Sequence, residues 1–456
     1  MEKNDAHVIS AYLDAVAQAE RAYDQRGGRL ARLLRLRAKE LYWTVTRLLR
    51  QAGARLSRLG ITRRKKPPSW SRVEAPVVKT AAGFAGGAFA GRQRLLIDMT
   101  STLRSGKNTG IQRVAREMGR NGWEIGAAIP VAIHDGRLLS YYRREDLAET
   151  IDLAAGDVFV MADASWNHLD EYLPILEDAK AKGALSVVCL YDILPLLYPS
   201  AFPPHLTQRF GDWMRRVVLT SDGVIADSRA AADSLRDYVL KETGAPPAFP
   251  IASWRLGADF PAGGDTPSAR ARRIADGRPF FLGVGTVEPR KGYPVALDAV
   301  ETLWAEGADT SYVIVGGRGW GMRAFEKRLA RHPEFGKRLF WLDRAGDADL
   351  ALLYRSARAM VLASFAEGFG LPIVEAAHYG TPVIASDIAV FHEAAGESAH
   401  YFPVLDRDRL ADLMRGALLE KPRAPVVAAV SWRDSATQLF ELARAFQARA
   451  QERFPV

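Results

Sequence analysis

Two kinds of segment alternate along most of the chain. Short, nearly uninterrupted apolar runs fall at 95–99, 127–133, 158–161, 185–190 and 223–226, and again at 280–284, 312–315, 339–342, 360–363 and 382–385. Stretches with helical character separate them. Strands that are apolar on both faces and joined by helices predict parallel sheets covered on each side. Two such sets predict two doubly wound α/β domains with a hinge near 256–267. Ligands of such domains bind outside the carboxyl ends of the strands, so a cleft between the two is the expected place for any chemistry.

The first 92 residues follow a different pattern. Leu30, Leu33, Leu34, Leu41, Val45, Leu48, Leu49, Leu56 and Leu59 recur mostly three or four residues apart, and arginines such as Arg32, Arg47 and Arg58 fill the positions between. That is the spacing of a helix with one apolar face. Residues 21–66 hold 15 Lys or Arg against Asp24 and Glu40, a net of +13; the whole chain carries +9, which leaves −4 for the rest. A basic amphipathic helix with Tyr42 and Trp43 near its middle suits an anionic membrane surface. The same pattern also suits packing on the body of the protein or pairing with another subunit. Nucleic acid is not expected, because no zinc-finger, helix-turn-helix or RNA-binding motif accompanies the charge. Residues 81–91 are rich in Gly and Ala and read as a linker. The expected organisation is a basic helical extension at 1–92, a first domain at 93–258 and a second at 259–456.

Composition narrows the class. At 456 residues, 48% hydrophobic and 25% charged, the chain reads as an ordinary globular protein of two or three domains. No apolar run reaches 18 residues, and the opening Met-Glu-Lys-Asn-Asp-Ala-His lacks a secretory signature. The one cysteine, Cys189, lies in an apolar run and reads as a buried strand residue, so a reducing cytoplasm is the expected setting.

The densest chemistry lies in Phe365-Ala366-Glu367-Gly368-Phe369-Gly370-Leu371-Pro372-Ile373-Val374-Glu375. A buried strand leads into a glycine turn that opens a helix. Bare backbone N–H groups at a positive helix end suit a phosphate-bearing ligand. Glu367 sits on the turn, where it can accept from hydroxyls. Glu375 sits about one turn inside the helix, on a face that can reach a ribose. Upstream, the strand at 280–284 runs into a turn with two adjacent cations, Arg290 and Lys291, before Gly292. Positioned cations stabilise the negative charge that develops on a departing diphosphate.

The pair of glutamates and the turn between them resemble the Glu-x7-Glu motif of the retaining family-4 glycosyltransferases, which have the GT-B fold. The resemblance runs from about residue 94 to the end. It implies that Glu367 contacts the donor sugar, Glu375 the ribose, and the backbone of Gly368, Phe369, Gly370 and Leu371 the diphosphate. Lys291 matches the family's diphosphate lysine. Thr286, directly after Gly285, stands where the family usually has an arginine; a subgroup with Gly-Thr-x-Glu-Pro-Arg-Lys places Arg290 in that role. Gly317, in Val315-Gly316-Gly317-Arg318, lies in a loop that the family keeps near the nucleotide. Thr109 and Gly110 match the first glycine loop, which faces diphosphate and acceptor. In Tyr191-Asp192, Tyr191 replaces the family's histidine by the reacting sugar, while Asp192 is retained to order the site.

What the resemblance implies is transfer of a hexose from a nucleotide diphosphate sugar, GDP-mannose in type, to a hydroxyl of a growing bacterial surface polysaccharide or lipid-linked glycan. It implies retention of configuration, no cofactor and no metal. Asp406-Arg407-Asp408 and Asp347-Ala348-Asp349 mimic a metal-binding Asp-x-Asp but follow no buried strand in the context that motif requires, and the eight histidines show no ligand spacing. Cytoplasmic placement, peripheral on the inner face of the membrane, would suit a lipid-linked acceptor. Two other readings stay open: a non-catalytic GT-B scaffold that binds a membrane or partner, and a sugar phosphorylase, for which no pyridoxal-phosphate lysine is recognisable.

Overall fold

Every apolar run becomes a strand whose two faces are both covered. The computed structural model describes residues 3–26, 93–105, 110–140, 150–259, 266–427 and 430–453. The amphipathic run at 30–59 and Thr109 lie outside the described residues. In the first domain the strands are β1 (Leu95–Asp98), β2 (Ile129–His134), β3 (Arg137–Ser140), β4 (Thr150–Ile151), β5 (Val158–Met161), β6 (Leu185–Leu190), β7 (Gly223–Ala226) and β8 (Ile251–Ser253). Their spatial order is β4-β3-β2-β1-β5-β6-β7-β8. In the second domain they are β9 (Phe280–Val284), β10 (Ser311–Val315), β11 (Leu339–Leu342), β12 (Ala359–Leu362), β13 (Val383–Ser386) and β14 (His400–Phe402), in the order β11-β10-β9-β12-β13-β14. Both sheets are parallel except at the β2-β3-β4 edge of the first. The fold is α/β with two Rossmann-like domains, as the alternation predicts.

The antiparallel edge departs from the parallel sheets that the apolar runs predict, and its cause is local. Asp135 and Gly136 join β2 to β3 with φ of 47° and 74°. Two consecutive positive φ values make the turn whose twist matches a hairpin.

In each sheet the strand order reverses beside the first strand: β2 and β5 flank β1, and β10 and β12 flank β9. Such switch points open a crevice at the carboxyl ends of the strands. The turns carrying Arg290 and Lys291 (after β9) and Glu367 (after β12) border the crevice of the second sheet. The cleft is thus assembled from chain topology before any side chain is considered.

The ends of the chain depart from the expected domain limits. The helix Trp432–Arg453 packs on the first domain, where Phe440 and Phe446 enter its core beside Val158 and Ile225. Small residues admit it: a Cβ on Gly122 would lie 2.7 Å from the Phe440 ring. The helix thus returns from the second domain to the first. At the amino end, the helix Lys3–Arg26 packs on the second domain, with Glu20 and Asp24 paired to Arg323. The two connections between domains run side by side, joined by Ala258 N–H to the Val430 carbonyl (3.1 Å) and by Trp432 N–H to the Asp259 carboxylate (2.6 Å).

Candidate active site

Lys291, Arg290 and Glu367 meet at the switch point of the second sheet. Pro289–Lys291 is a single tight turn ended by Gly292 at φ 62°, where a Cβ would overlap the Ala363 carbonyl oxygen. Only glycine lets this turn sit against the end of β12. Phe365 N–H then donates to the Arg290 carbonyl at 3.0 Å and locks the two turns together. A Cβ on Gly285 would lie 3.2 Å from Lys291 Nζ, so this glycine leaves the ammonium its space.

The side chains form a compact ionic cluster. Lys291 Nζ and Arg290 Nη1 each donate to a different oxygen of Glu367 at 2.5 Å, and Arg290 Nε lies 2.6 Å from Glu288. Glu367 keeps 8% of its side-chain surface exposed, Lys291 9% and Glu288 3%, so solvent screens these charges weakly. Burial by itself raises the Glu367 carboxyl; Arg290 and then Lys291 overcome it and hold the group down at about 2. Burial also lowers the Lys291 ammonium, against the pull of Glu367. Burial raises Glu288, with Arg290 opposing. The cluster pairs two cations with two carboxylates, and each charge is held in place by its neighbours.

Asp192 enters the same field from the first domain. Its carboxylate accepts from Leu194 N–H at 3.0 Å; burial raises it, while Arg290 and Lys291 pull it down. Tyr191 does not face the cleft. Its hydroxyl donates to the Ala162 carbonyl at 2.5 Å and its ring lies edge-on to Trp254, so the side chain that stands in the family histidine's place is held inside the first domain. The Tyr191 backbone matters instead: a Cβ on Gly368 would overlap its carbonyl oxygen.

Glu375 is 4% exposed and carries two partners across the cleft and behind it. Arg113 Nη1 donates to one oxygen at 2.8 Å and the Tyr354 hydroxyl to the other at 2.8 Å. Burial raises this carboxyl, and Arg113 opposes the rise. Arg113 lies one turn into the helix Gly110–Glu124, whose first residue, Gly110, is exposed. Phe369 and Leu371 pack against the core of the first domain, and Ser228 Oγ donates to the Gly368 carbonyl at 2.6 Å. Glu393 accepts from Arg229 and Ala230 N–H at the start of the helix Arg229–Thr243, again across the domains. The cleft is therefore closed over the turn at 365–371.

Gly285, Thr286 and Gly317 lie at the ends of β9 and β10. Val287 N–H donates to the Gly317 carbonyl at 2.9 Å, which places Gly317 on the rim of the cluster. The structure brings Glu367, Lys291, Arg290 and Asp192 together and leaves the Tyr191 side chain apart. Sequence reasoning missed Glu288, which pairs with Arg290 two residues on, and Arg113 and Tyr354, which reach Glu375 from 262 and 21 residues away. Among the described residues no group of three or more His, Cys, Asp or Glu is placed to hold a metal ion, and no helix is long and apolar enough to cross a membrane.

The model of the family "Glycosyl transferases group 1" matches residues 266–427. The chain is 32% identical over 375 residues to the serotype-specific mannosyltransferase WbdA of Escherichia coli, across 76% of this chain and 46% of that protein. It is 34% identical over 162 residues to the O-antigen chain mannosyltransferase B of Escherichia coli, across 35% of this chain and 39% of the relative. The chain thus spans about half the length, or less, of these relatives. Among solved structures it resembles Anabaena Alr3699/HepE in complex with UDP and glucose, with a TM-score of 0.51, 17% identity, and coverage of 79% of this chain and 99% of that one. The match at residues 266–427 and the mannosyltransferase relatives make the chain similar to the glycosyl transferases group 1 family, within a GT-B fold.

Proposed function

We propose that the chain is a retaining, metal-independent glycosyltransferase that moves a hexose from a nucleotide diphosphate sugar to a hydroxyl of a growing surface polysaccharide or lipid-linked glycan. The observation that carries this reading is Glu367 held between Lys291 and Arg290 at the crevice of the second sheet. The mannosyltransferase names of the relatives favour GDP-mannose as donor.

In this reading the diphosphate lies over the turn Gly368–Gly370, against the start of the helix Leu371–His378. As the bond from the anomeric carbon to the diphosphate breaks, Lys291 and Arg290 take up the charge on the leaving oxygen. The acceptor hydroxyl attacks from the face that the diphosphate leaves, and its proton passes to the departing phosphate. No enzymic nucleophile takes part, which fits the burial of the Tyr191 hydroxyl. Glu367 orients the sugar hydroxyls, Asp192 borders them from the first domain, and Glu375 receives the ribose. The basic residues of 21–66 bring the chain to an anionic membrane surface that holds a lipid-linked acceptor.

Calorimetry with GDP, UDP, dTDP and ADP tests the donor site, followed by NMR of the anomeric configuration of any product. Tight binding of one nucleotide and a retained anomer support the reading. Binding of none would favour a scaffold, and an inverted anomer would exclude the attack described. Equal binding to anionic liposomes by the full chain and by a chain lacking 27–66 would remove the membrane role.

A further inference from the structure

The helix Lys3–Arg26 lies outside the stretch that the family model matches, yet it reaches the ionic cluster from behind. Ile9 and Leu13, 2% and 6% exposed, enter an apolar cluster with Leu194 and Ala201 of the first domain and Phe365 and Ala366 of the second. The helix thus seals the seam between domains at the residues that immediately precede Glu367. Between these two apolar anchors stands Tyr12. Its hydroxyl donates to the Pro289 carbonyl at 3.1 Å, and its ring meets Phe365 edge-on, with centroids 6.1 Å apart and planes at 69°.

These two contacts fall on the two turns that make the cluster. Pro289 opens the single turn that presents Arg290 and Lys291, and Phe365 stands two residues before Glu367. Consecutive carbonyls of that turn are held from different sides: Pro289 by Tyr12 and Arg290 by Phe365 N–H. An ion-binding pair made of flexible side chains on a short turn depends on how firmly the turn is held, because a displacement of about 1 Å at such a site can cost roughly a hundredfold in rate.

We propose that Tyr12 is a positioning residue for the donor site: from a helix outside the catalytic domain, it sets the placement of Lys291 and Arg290 relative to Glu367. This rests on the donor-site reading above. The role belongs to the hydroxyl, with the ring as its guide, and not to the docking of the helix in general.

The test compares Tyr12→Phe with Glu20→Gln in the full chain. Tyr12→Phe removes one hydroxyl and keeps the ring. Glu20→Gln loosens the far end of the same helix, where Glu20 meets Arg323 and Ala324 N–H, and touches neither turn. Binding of the nucleoside diphosphate that the parent accepts is read by calorimetry, and donor and acceptor KM by transfer kinetics. Tyr12→Phe should weaken nucleotide binding and raise donor KM by about three- to tenfold, the scale of one hydrogen bond, with acceptor KM unchanged. Glu20→Gln should leave nucleotide binding within about twofold of the parent. Unchanged binding in Tyr12→Phe overturns the proposal, as does equal weakening in both variants, which would reduce the effect to helix docking. A parent that binds no nucleoside diphosphate removes the donor-site reading itself, and Tyr12's role with it.

Discussion

Arg113, from the first domain, donates to Glu375 of the second at 2.8 Å, with 13% and 5% of the two side chains exposed. The pair joins the helix that follows the first glycine loop to the helix that follows the Glu367 turn. It is a buried charge contact between the domains at the proposed ribose position. Removing one member of a buried pair leaves a desolvated charge, costing about 3–5 kcal/mol unless the site opens to water. We expect Arg113→Gln to open the cleft and enlarge the radius of gyration in small-angle scattering. Glu375→Gln should do the same, and the double variant should go no further than either, because the two act as one unit. An unchanged radius in the single variants would show that the pair does not hold the domains.

Glu367→Gln should abolish transfer while the fold survives, as judged by circular dichroism. The acid stability of the same variant carries a second expectation. The folded-state group is held at about 2, below its ordinary 4.5. A depressed carboxyl contributes stability that is present above the unfolded value and disappears as pH falls from about 4.5 to about 2. The difference in unfolding free energy between parent and variant should therefore shrink across that window. A constant difference would mean that Glu367 is not ion-paired.

Lys291→Ala should weaken nucleoside diphosphate binding by about 10- to 150-fold, since roughly 1.5–3 kcal/mol rides on a charge-assisted contact. Equal affinity by calorimetry would separate Lys291 from the diphosphate.

Gly368→Ala tests the closed cleft by sterics alone. The added methyl would meet the Tyr191 carbonyl oxygen of the opposite domain. The variant should stay folded, with its melting temperature near the parent's, but lose most of its transfer rate. Full activity would mean that transfer does not need the cleft closed this far.

A second titration lies away from the cluster. Asp98 at the end of β1 accepts from the hydroxyls of Thr100 and Tyr172, both at 2.5 Å, and Asp163 lies nearby. Burial, then the Asp163 charge, raise Asp98 to about 7. The folded chain therefore binds this proton more tightly than the unfolded chain, and stability from this group falls as pH rises from about 4 to about 7. Asp98→Asn should flatten that slope in urea titrations at several pH values. An unaltered slope would assign it to other groups.

The sequence made the sheets legible because both faces of each central strand are apolar. The runs at 158–161, 185–190, 223–226, 280–284 and 339–342 coincide with strands in the structure. The edges were harder to see. β4, β8 and β14 are only two or three residues long, and β3 is half polar, although Asp135-Gly136 is itself a hairpin signal. The approach of Lys291 to Glu367 follows from two turns at one switch point and could be anticipated. The pairing of Arg113 with Glu375 spans 262 residues, and no local pattern encodes it. The inward turn of Tyr191 depends on Ala162 and Trp254, which adjoin it only in the folded sheet.

The placement of the two terminal helices has a consequence for how the protein can be divided. Lys3–Arg26 lies on the second domain and Trp432–Arg453 on the first, so each half of the molecule is completed by a piece borrowed from the far end of the sequence. A cut between residues 256 and 266 separates the sheets but strands each helix with the wrong fragment. The fragments would expose complementary apolar faces: one the bed of Phe440 and Phe446, the other the bed of Tyr12. The two halves are therefore not interchangeable modules. A chimera that imports a foreign second domain must import the partner for Lys3–Arg26 with it, and must carry the returning helix back to its own first domain.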